Sequence, residues 1–291
     1  MNGILIADKP ADWTSHDVVA KLRGVLKTKR IGHGGTLDPM ATGVLPLFIG
    51  RATRAAEFCE NAKKEYIAGL RLGVVTDTQD ITGKIQSEND VSVSADDLTT
   101  ILNSFLGAQK QIPPMYSAIK QNGKKLYELA RSGIEVPRQE RDIFISLMEL
   151  LSGEGDEFQL RIVCSKGTYV RTLCHDIGTR LGCGGTMSSL RRTKAGVFSI
   201  ESASTLDEII AAMTSGNIED LLLPLDSIFS DCPVVRLSSE ETRKCKNGAS
   251  CKAEELPDGR YRFYGPDNEF LFLGDVVNGE TLVMKRFFGN S

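Results

Sequence analysis

The chain has 291 residues, 41% of them hydrophobic and 25% charged, with a net charge of −3. This length and apolar content support one sizeable core plus a smaller satellite, and no apolar run is long enough for a spanning helix: the longest, residues 44–49, already contains Pro46. Asp8 and Lys9 follow only a few apolar residues, so no secretory leader is expected; the seven cysteines lack a CxxC pair and Cys245 and Cys251 have no nearby His, so all are read as reduced thiols of a cytoplasmic protein, neither disulfides nor zinc ligands.

Residues 3–7 form a short apolar strand that gives way to Asp8-Lys9-Pro10. Ser15 is placed to cap a helix burying Val18, Val19, Leu22, Val25 and Leu26 at helical spacing. Residues 27–42 read as a glycine-rich loop around Gly32, Gly34 and Gly35, followed by the apolar stretch 44–49 and a helix over 52–62. In residues 65–72, Tyr66, Ala68, Leu70 and Leu72 alternate onto one face, the pattern of a half-buried strand. Thr76-Asp77-Thr78-Gln79-Asp80, closed by Gly83, is turn chemistry. Helices are predicted over 94–106 and 124–131 on either side of Pro113-Pro114, strands over 143–151, 158–164 and 196–200, and a helix over 169–181. Strands and helices mix without a regular βαβ alternation. The predicted class is therefore α+β, a mixed and largely antiparallel sheet with flanking helices. From Val234 onward, short β-like runs separated by Gly, Asn and Asp predict a small β-barrel. The chain thus divides into a domain over 1–230 and a second over 234–291.

Charge is unevenly spread along this frame. Residues 18–37 hold five bases (Lys21, Arg23, Lys27, Lys29, Arg30) and no acid, and residues 161–196 hold seven bases against the single acid Asp176. Residues 195–235 reverse this, with seven acids and no base. Two basic stretches of this kind suit a phosphate backbone while the acidic segment faces elsewhere, although a solvated surface is the commoner meaning of charge runs alone.

The most informative stretch is Gly32-His33-Gly34-Gly35-Thr36-Leu37-Asp38-Pro39-Met40-Ala41-Thr42-Gly43. Asp38 precedes a proline, which biases its backbone away from the α region, and the glycines permit close approach of a ligand. A carboxylate so presented serves as a nucleophile or stabilises a developing cation. Alone, such an Asp-Pro is usually a turn. The loop lacks a GK[ST] ending and a dinucleotide fingerprint, so it is no ordinary phosphate cradle.

Further stretches change that balance. Residues 32–46 match throughout the pattern GHxGTLDPxATGVLP of the TruB-type tRNA pseudouridine synthases, a family the sequence closely resembles. Lys64-Glu65-Tyr66 running into Arg71-Leu72-Gly73 and residues 76–80, then Pro113-Pro114-Met115-Tyr116-Ser117-Ala118-Ile119-Lys120, resemble its second and third motifs. Cys164-Ser165-Lys166-Gly167-Thr168-Tyr169-Val170-Arg171-Thr172-Leu173 and Leu190-Arg191-Arg192-Thr193 resemble the last two. The matches run in family order over about two hundred residues. The C-terminal piece resembles, less specifically, the short RNA-binding PUA domain of bacterial members. One departure stands out: Asp12 occupies the place of the usual glycine in a KPxGxTS motif, here Lys9-Pro10-Ala11-Asp12-Trp13-Thr14-Ser15.

The resemblance implies isomerisation of a uridine in the T loop of tRNA, uridine 55, by a stand-alone monomer that needs no cofactor, metal, membrane or protein partner. It assigns Asp38 as the catalytic carboxylate, Arg171 as the guanidinium that keeps it ionised, and Tyr66 as the residue stacked on the base near the C5 proton. Tyr169 becomes a second pocket aromatic, and His33 enters the RNA where a nucleotide has flipped out. Lys9, Lys64, Arg191 and Arg192 are candidates for RNA backbone contact. Outside the resemblance, Tyr66 and Tyr169 would be core aromatics, His33 a loop histidine, and the bases solvated charges. His16 and His175 have no assigned role. Two rivals are a non-catalytic RNA-binding or RNA-folding protein on the same scaffold, and a glycoside or nucleoside hydrolase, which would need a second acid-base carboxylate.

Overall fold

The computed structural model describes residues 1–247 and 256–287, with side chains as far as residue 279. Strand β1 (Gly3–Lys9) leads into helix α1 (Ser15–Val25), then β2 (Ile31–His33), β3 (Thr42–Ile49), α2 (Ala56–Asn61) and β4 (Lys64–Leu72). The hairpin of β5 (Val74–Thr76) and β6 (Ile85–Glu88), helix α3 (Ala95–Asn103) and β7 (Gly107–Gln111) follow. After the short pair β8 (Lys120–Gln121) and β9 (Lys124–Lys125) come α4 (Leu126–Arg131), β10 (Arg141–Glu154) and β11 (Glu157–Cys164). Helix α5 (Val170–Leu181), β12 (Gly185–Ala195), β13 (Phe198–Ser199) and α6 (Leu206–Ser215) complete the body.

The main sheet runs β1-β3-β12-β4-β11-β10-β7, with β2 on β3 and β13 on β12. Every neighbouring pair is antiparallel except β3–β12, which is parallel. The expected class, α+β around a mixed and largely antiparallel sheet, describes the body well.

Alternation decides which face each strand buries. On β4, Tyr66, Ala68, Leu70 and Leu72 all point into the larger core, where Leu98, Leu102, Leu173 and Ile177 of α3 and α5 cover them. At the other end of the sheet, Val18, Val19 and Leu22 of α1 and Leu206 and Ile209 of α6 pack on Leu5, Leu45 and Leu47. The opposite face of β1 and β3 buries Ile4, Ile6, Val44 and Phe48 against Ala52, Cys59 and Phe198.

Several elements differ from expectation. Helix α1 is capped by Thr14, one residue early, through a capping box with Asp17. Strand β12 was not predicted. Its sequence, GTMSSLRRTKA, is polar and poor in β-branched residues. It is extended because β4 pairs with it from Gly185 to Ala195, β3 takes Arg191 and Arg192, and Gln79 and Ile81 bond the backbone of Met187. The strand expected over 196–200 shrinks to β13, ending in a 3-10 turn at Ile200–Ser202.

Beyond residue 233 lie β14 (Val234–Arg236), α7 (Ser239–Lys246), β15 (Gly259–Tyr264), β16 (Phe270–Val277) and β17 (Glu280–Phe287), the strands forming one four-stranded sheet in that order. Helix α7 departs from the all-β reading, and has a Ser238–Glu241 capping box as its local signal. Leu237, Tyr261, Phe263, Leu271 and Phe272 form a separate small core, which Cys245 joins. Cys245 is disulfide-bonded, correcting the expectation of seven reduced thiols. Cys251 lies outside the described residues. Cys59, Cys164, Cys174, Cys183 and Cys232 are free, and burial pushes the Cys59 and Cys164 thiols up to about 11 and Cys174 up to about 12, leaving them inert.

Candidate active site

The site forms where the loop between β2 and β3 crosses the start of β4 and the first turn of α5. Leu37 and Ala41, on either side of Asp38, are buried in the same core cluster as Tyr66, Leu173 and Leu190. This packing anchors the loop and leaves the Asp38 side chain 39% exposed. The loop is tied from the helix side as well: Ser15 Oγ accepts from Leu37 N at 2.8 Å and donates to Leu37 O at 3.2 Å. Ser15 is therefore the residue that clamps this loop, and the cap expected of it falls to Thr14.

Arg171 Nε lies 2.9 Å from Asp38 Oδ2. Its other nitrogens donate to the carbonyls of Thr78 at 3.0 Å and Tyr116 at 2.8 Å, and Nη1 is 3.6 Å from Asp80 Oδ2. The guanidinium is 6% exposed, so it is fixed from three sides and presents one edge to Asp38. Asp80, itself buried, accepts from Thr82 N at 3.1 Å and from the hydroxyls of Thr78 and Thr82 at 2.9 Å and 2.5 Å. The sequence marks residues 76–80 as a turn. That the turn delivers a second carboxylate, held through Oδ1 by Thr78 and Thr82, to Arg171 depends on the packing of β5 against β12.

Tyr66 is buried on β4, and burial pushes its phenol upward while the neighbouring Arg192 charge acts the other way. Tyr169 precedes α5 and is partly exposed. Its backbone is gripped by Gln111, whose amide accepts from Tyr169 N at 2.8 Å and donates to Tyr169 O at 3.1 Å. Gln111 is a positioning residue with no sequence signal of its own. His33, at the end of β2, is partly buried, and its Nδ1 is enclosed without a hydrogen-bond partner. Burial first, and then the charges of Arg192 and His16, hold His33 below the usual imidazole range.

Three of the four bases expected on RNA phosphates turn inward, and this corrects the expectation. Lys9 is fully buried. Its ammonium donates to the carbonyls of Pro10 at 2.8 Å, Trp13 at 2.5 Å and Pro39 at 3.0 Å, tying the turn before α1 to the residue after Asp38. Lys64 is buried and donates to the carbonyls of Cys59 at 3.3 Å, Ala62 at 2.7 Å and Glu60, which closes the C-terminal end of α2. Arg192 is 1% exposed and donates to Val44 O at 2.7 Å, Gly35 O at 3.1 Å and Thr36 O at 3.4 Å. An ammonium or guanidinium removed from water needs such acceptors, and here backbone carbonyls supply them. Arg191 alone remains partly exposed, 2.7 Å from Asp8 Oδ2.

The departure at Asp12 also has a geometric account. Asp12 has φ 64, the left-handed conformation for which glycine is the default, and its N–H donates to Pro39 O at 2.9 Å. Aspartate tolerates this region better than most side chains, so the turn keeps its shape.

Among the described residues, no group of three or more His, Cys, Asp or Glu is placed to hold a metal ion, and no helix is long and apolar enough to cross a membrane. A family model described as TruB family pseudouridylate synthase, N terminal domain, matches residues 23–170, and one described as tRNA pseudouridylate synthase B C-terminal domain matches 171–230. A tRNA pseudouridine synthase B of Clostridium kluyveri is 43% identical over 99% of this chain and 100% of its own length. One from Pseudomonas fluorescens is 39% identical over 98% of this chain and 95% of its own. A chain in the crystal structure of a Cbf5-Nop10-Gar1 complex is similar in fold, with a TM-score of 0.77 at 26% identity, covering 98% of this chain and 84% of that one. Together with the loop that presents Asp38 to Arg171, these matches show that the chain belongs to the TruB family of pseudouridylate synthases.

Proposed function

We propose that this protein isomerises uridine to pseudouridine in the T loop of tRNA, at uridine 55, with Asp38 as the carboxylate that acts at the glycosidic carbon. The observation that carries the reading is the pairing of a half-exposed Asp38 carboxylate with a buried Arg171 at 2.9 Å. The charge is anchored from beneath and open to a substrate from above.

The reaction breaks the bond from C1′ to N1, turns the uracil, and joins C1′ to C5. The C5 proton leaves and N1 gains one. No electrons enter or leave, so the chemistry calls for no cofactor. Asp38 stabilises positive charge on the sugar or traps it covalently, as carboxylates do in retaining glycosidases. Tyr66 stacks on the uracil beside the C5 proton, Tyr169 lines the same pocket, and His33 fills the space of the flipped nucleotide. Residues 234–291 act as a PUA-like RNA-docking domain. Phosphate contact falls to the exposed bases Lys21, Arg23, Lys27, Lys29 and Arg30 on and after α1, in place of the buried Lys9, Lys64 and Arg192. The protein works as a cytoplasmic monomer without a protein partner.

Incubating the purified protein with an unmodified tRNA transcript and mapping pseudouridine by position tests this reading. Pseudouridine at position 55 is expected, with no release of free uracil. Asp38→Asn should abolish the conversion while tRNA binding changes little, because the amide keeps the shape and loses the charge. Turnover within about tenfold of wild type, roughly 1.4 kcal/mol of barrier, would remove Asp38 from the central role.

A further inference from the structure

Strand β3 has an unusual outer edge. Strand β2 pairs with residues 47–49, Gly34 N donates to Pro46 O at 2.9 Å, and β12 takes over at residues 42 and 43. Between these supports the carbonyl of Val44 is met by a side chain, Arg192 Nε at 2.7 Å. The same guanidinium reaches Gly35 O and Thr36 O. It therefore grips the chain on both sides of Asp38, three and two residues before it and six after. Gly43, directly opposite Arg192 in the β3–β12 register, makes this approach possible: at φ 103, an added Cβ would lie 2.2 Å from Arg192 O.

On its other edge β12 pairs with β4, and there the cross-strand partner of Arg192 is Tyr66. A side chain standing opposite another on one face of an antiparallel pair is its nearest neighbour. Arg192 is thus in contact with the Asp38 loop through β3 and is the direct neighbour of Tyr66 through β4. It forms no ion pair among the described residues. A guanidinium that meets carbonyls and the Tyr66 hydroxyl but no carboxylate keeps its positive field, which a carboxylate partner would cancel.

We propose that Arg192 is a positioning residue for the isomerisation, setting the Asp38 loop and the Tyr66 hydroxyl relative to one another and placing an uncompensated positive charge beside that hydroxyl. The proposal rests on the reading of Tyr66 as the group next to the C5 proton. A Tyr66 phenolate accepts that proton, the C–H electron pair returns to the uracil ring, and the resulting phenol gives its proton to water. Burial opposes the phenolate and the Arg192 charge favours it. The other ionisable groups facing Tyr66 are Cys164 from the end of β11 and Asp38 from the loop, both of which act against the phenolate. Lys9, His33, Cys59 and Lys64 surround Arg192 from β1, β2, α2 and β4.

The test is the single-turnover rate at saturating tRNA from pH 6 to 10 for wild type, Arg192→Met, Arg192→Lys and Tyr66→Phe. Arg192→Met is expected to lose about a hundredfold in rate, to keep tRNA affinity within about threefold, and to move the alkaline-rising limb upward in pH. Arg192→Lys should return the limb to the wild-type position while recovering only part of the rate, because an ammonium keeps the charge and loses the fork. A pH profile for Arg192→Met that superimposes on wild type after scaling would overturn the proposal. If Arg192→Met does not fold, Arg192→Lys decides: a wild-type rate in that variant means that no positioning fork is needed. A Tyr66→Phe variant as active as wild type would instead sink the reading of Tyr66, and wild type that makes no pseudouridine would sink the proposed function.

Discussion

At the scale of single residues, three cations around the site, Lys9, Lys64 and Arg192, are held by backbone carbonyls and form no ion pair among the described residues. Lys9 shows what that costs. Burial lowers its pKa from 10.5 to about 8, while the Asp38 and Asp12 charges act the other way. Between those pH values the unfolded chain holds a proton that the folded chain has released, so folding becomes more favourable as pH rises through the window. Measured against Lys9→Met, wild-type stability is expected to climb from about pH 8 to 10.5 in urea melts, and a flat or falling difference would remove Lys9 as the source. At neutral pH the substitution strips the carbonyls of Pro10, Trp13 and Pro39 of their donor, at about 1–3 kcal/mol. His33 is the opposite case, a side chain held neutral with an idle Nδ1. If it supports nucleotide flipping, His33→Ala should slow single-turnover conversion of an intact T arm much more than that of a minimal RNA whose loop is already open. Equal slowing on the two RNAs would assign His33 another task.

At the scale of elements, the parallel junction of β3 and β12 is the critical seam. Only two residue pairs define it, Arg191 with Thr42 and Arg192 with Gly43. A methyl group on Gly43 would meet Arg192 O at 2.2 Å and Arg192 N at 2.9 Å in a backbone conformation that L side chains rarely adopt. Gly43→Ala is therefore predicted to cost on the order of 3 kcal/mol. Its urea midpoint should fall well below wild type, and a midpoint within experimental error would mean that the seam can open without loss. A similar close approach joins α5 to the start of β12. There an added Cβ on Gly178 would lie 2.2 Å from Gly184 C, so helix and strand touch backbone to backbone. That contact fixes the angle at which α5 presents Arg171.

At the scale of the whole molecule, the C-terminal sheet is docked on the body by a few polar and aromatic links. The Tyr264 hydroxyl donates to Asp226 Oδ2, and Arg262 Nη1 lies 3.8 Å from the same oxygen. Arg262 Nε also donates to Cys232 O at 2.9 Å. Phe229 stands edge-on to Phe58 at 5.1 Å and beside Phe270 at 6.0 Å. Beside this joint lies a groove of about 870 Å³ lined in part by Phe58, Phe198, Phe229 and Arg260. Removing the shared acceptor with Asp226→Ala should loosen the joint by about 1–3 kcal/mol. Hydrogen exchange would then quicken in β15 and β16 and stay slow in β4 and β12. Uniform quickening would mean that the two parts unfold as one unit.

Much of this molecule is written locally. The alternation in residues 65–72 specifies β4 and its buried face, the 3.6-residue spacing specifies α1, and the loop around Asp38 announces itself through glycine, proline and an acid in one short run. The same alternation, extended two residues back from Tyr66, already turns Lys64 inward, so its burial was legible and the charge of lysine concealed it. What tertiary structure decided lies in the pairings between distant segments. Strand β12 is polar and becomes an interior strand of the sheet only because it lies between β3 and β4. That placement, across about 150 residues of intervening chain, turns Arg192 from a plausible phosphate contact into a buried brace. Hydrophobic period fixes which face of a strand is dry, but it carries no information on which partner lies opposite. Lys9, Lys64 and Arg192 are buried here because folded backbone brings carbonyls to each of them. Those carbonyls converge only once the chain has closed on itself.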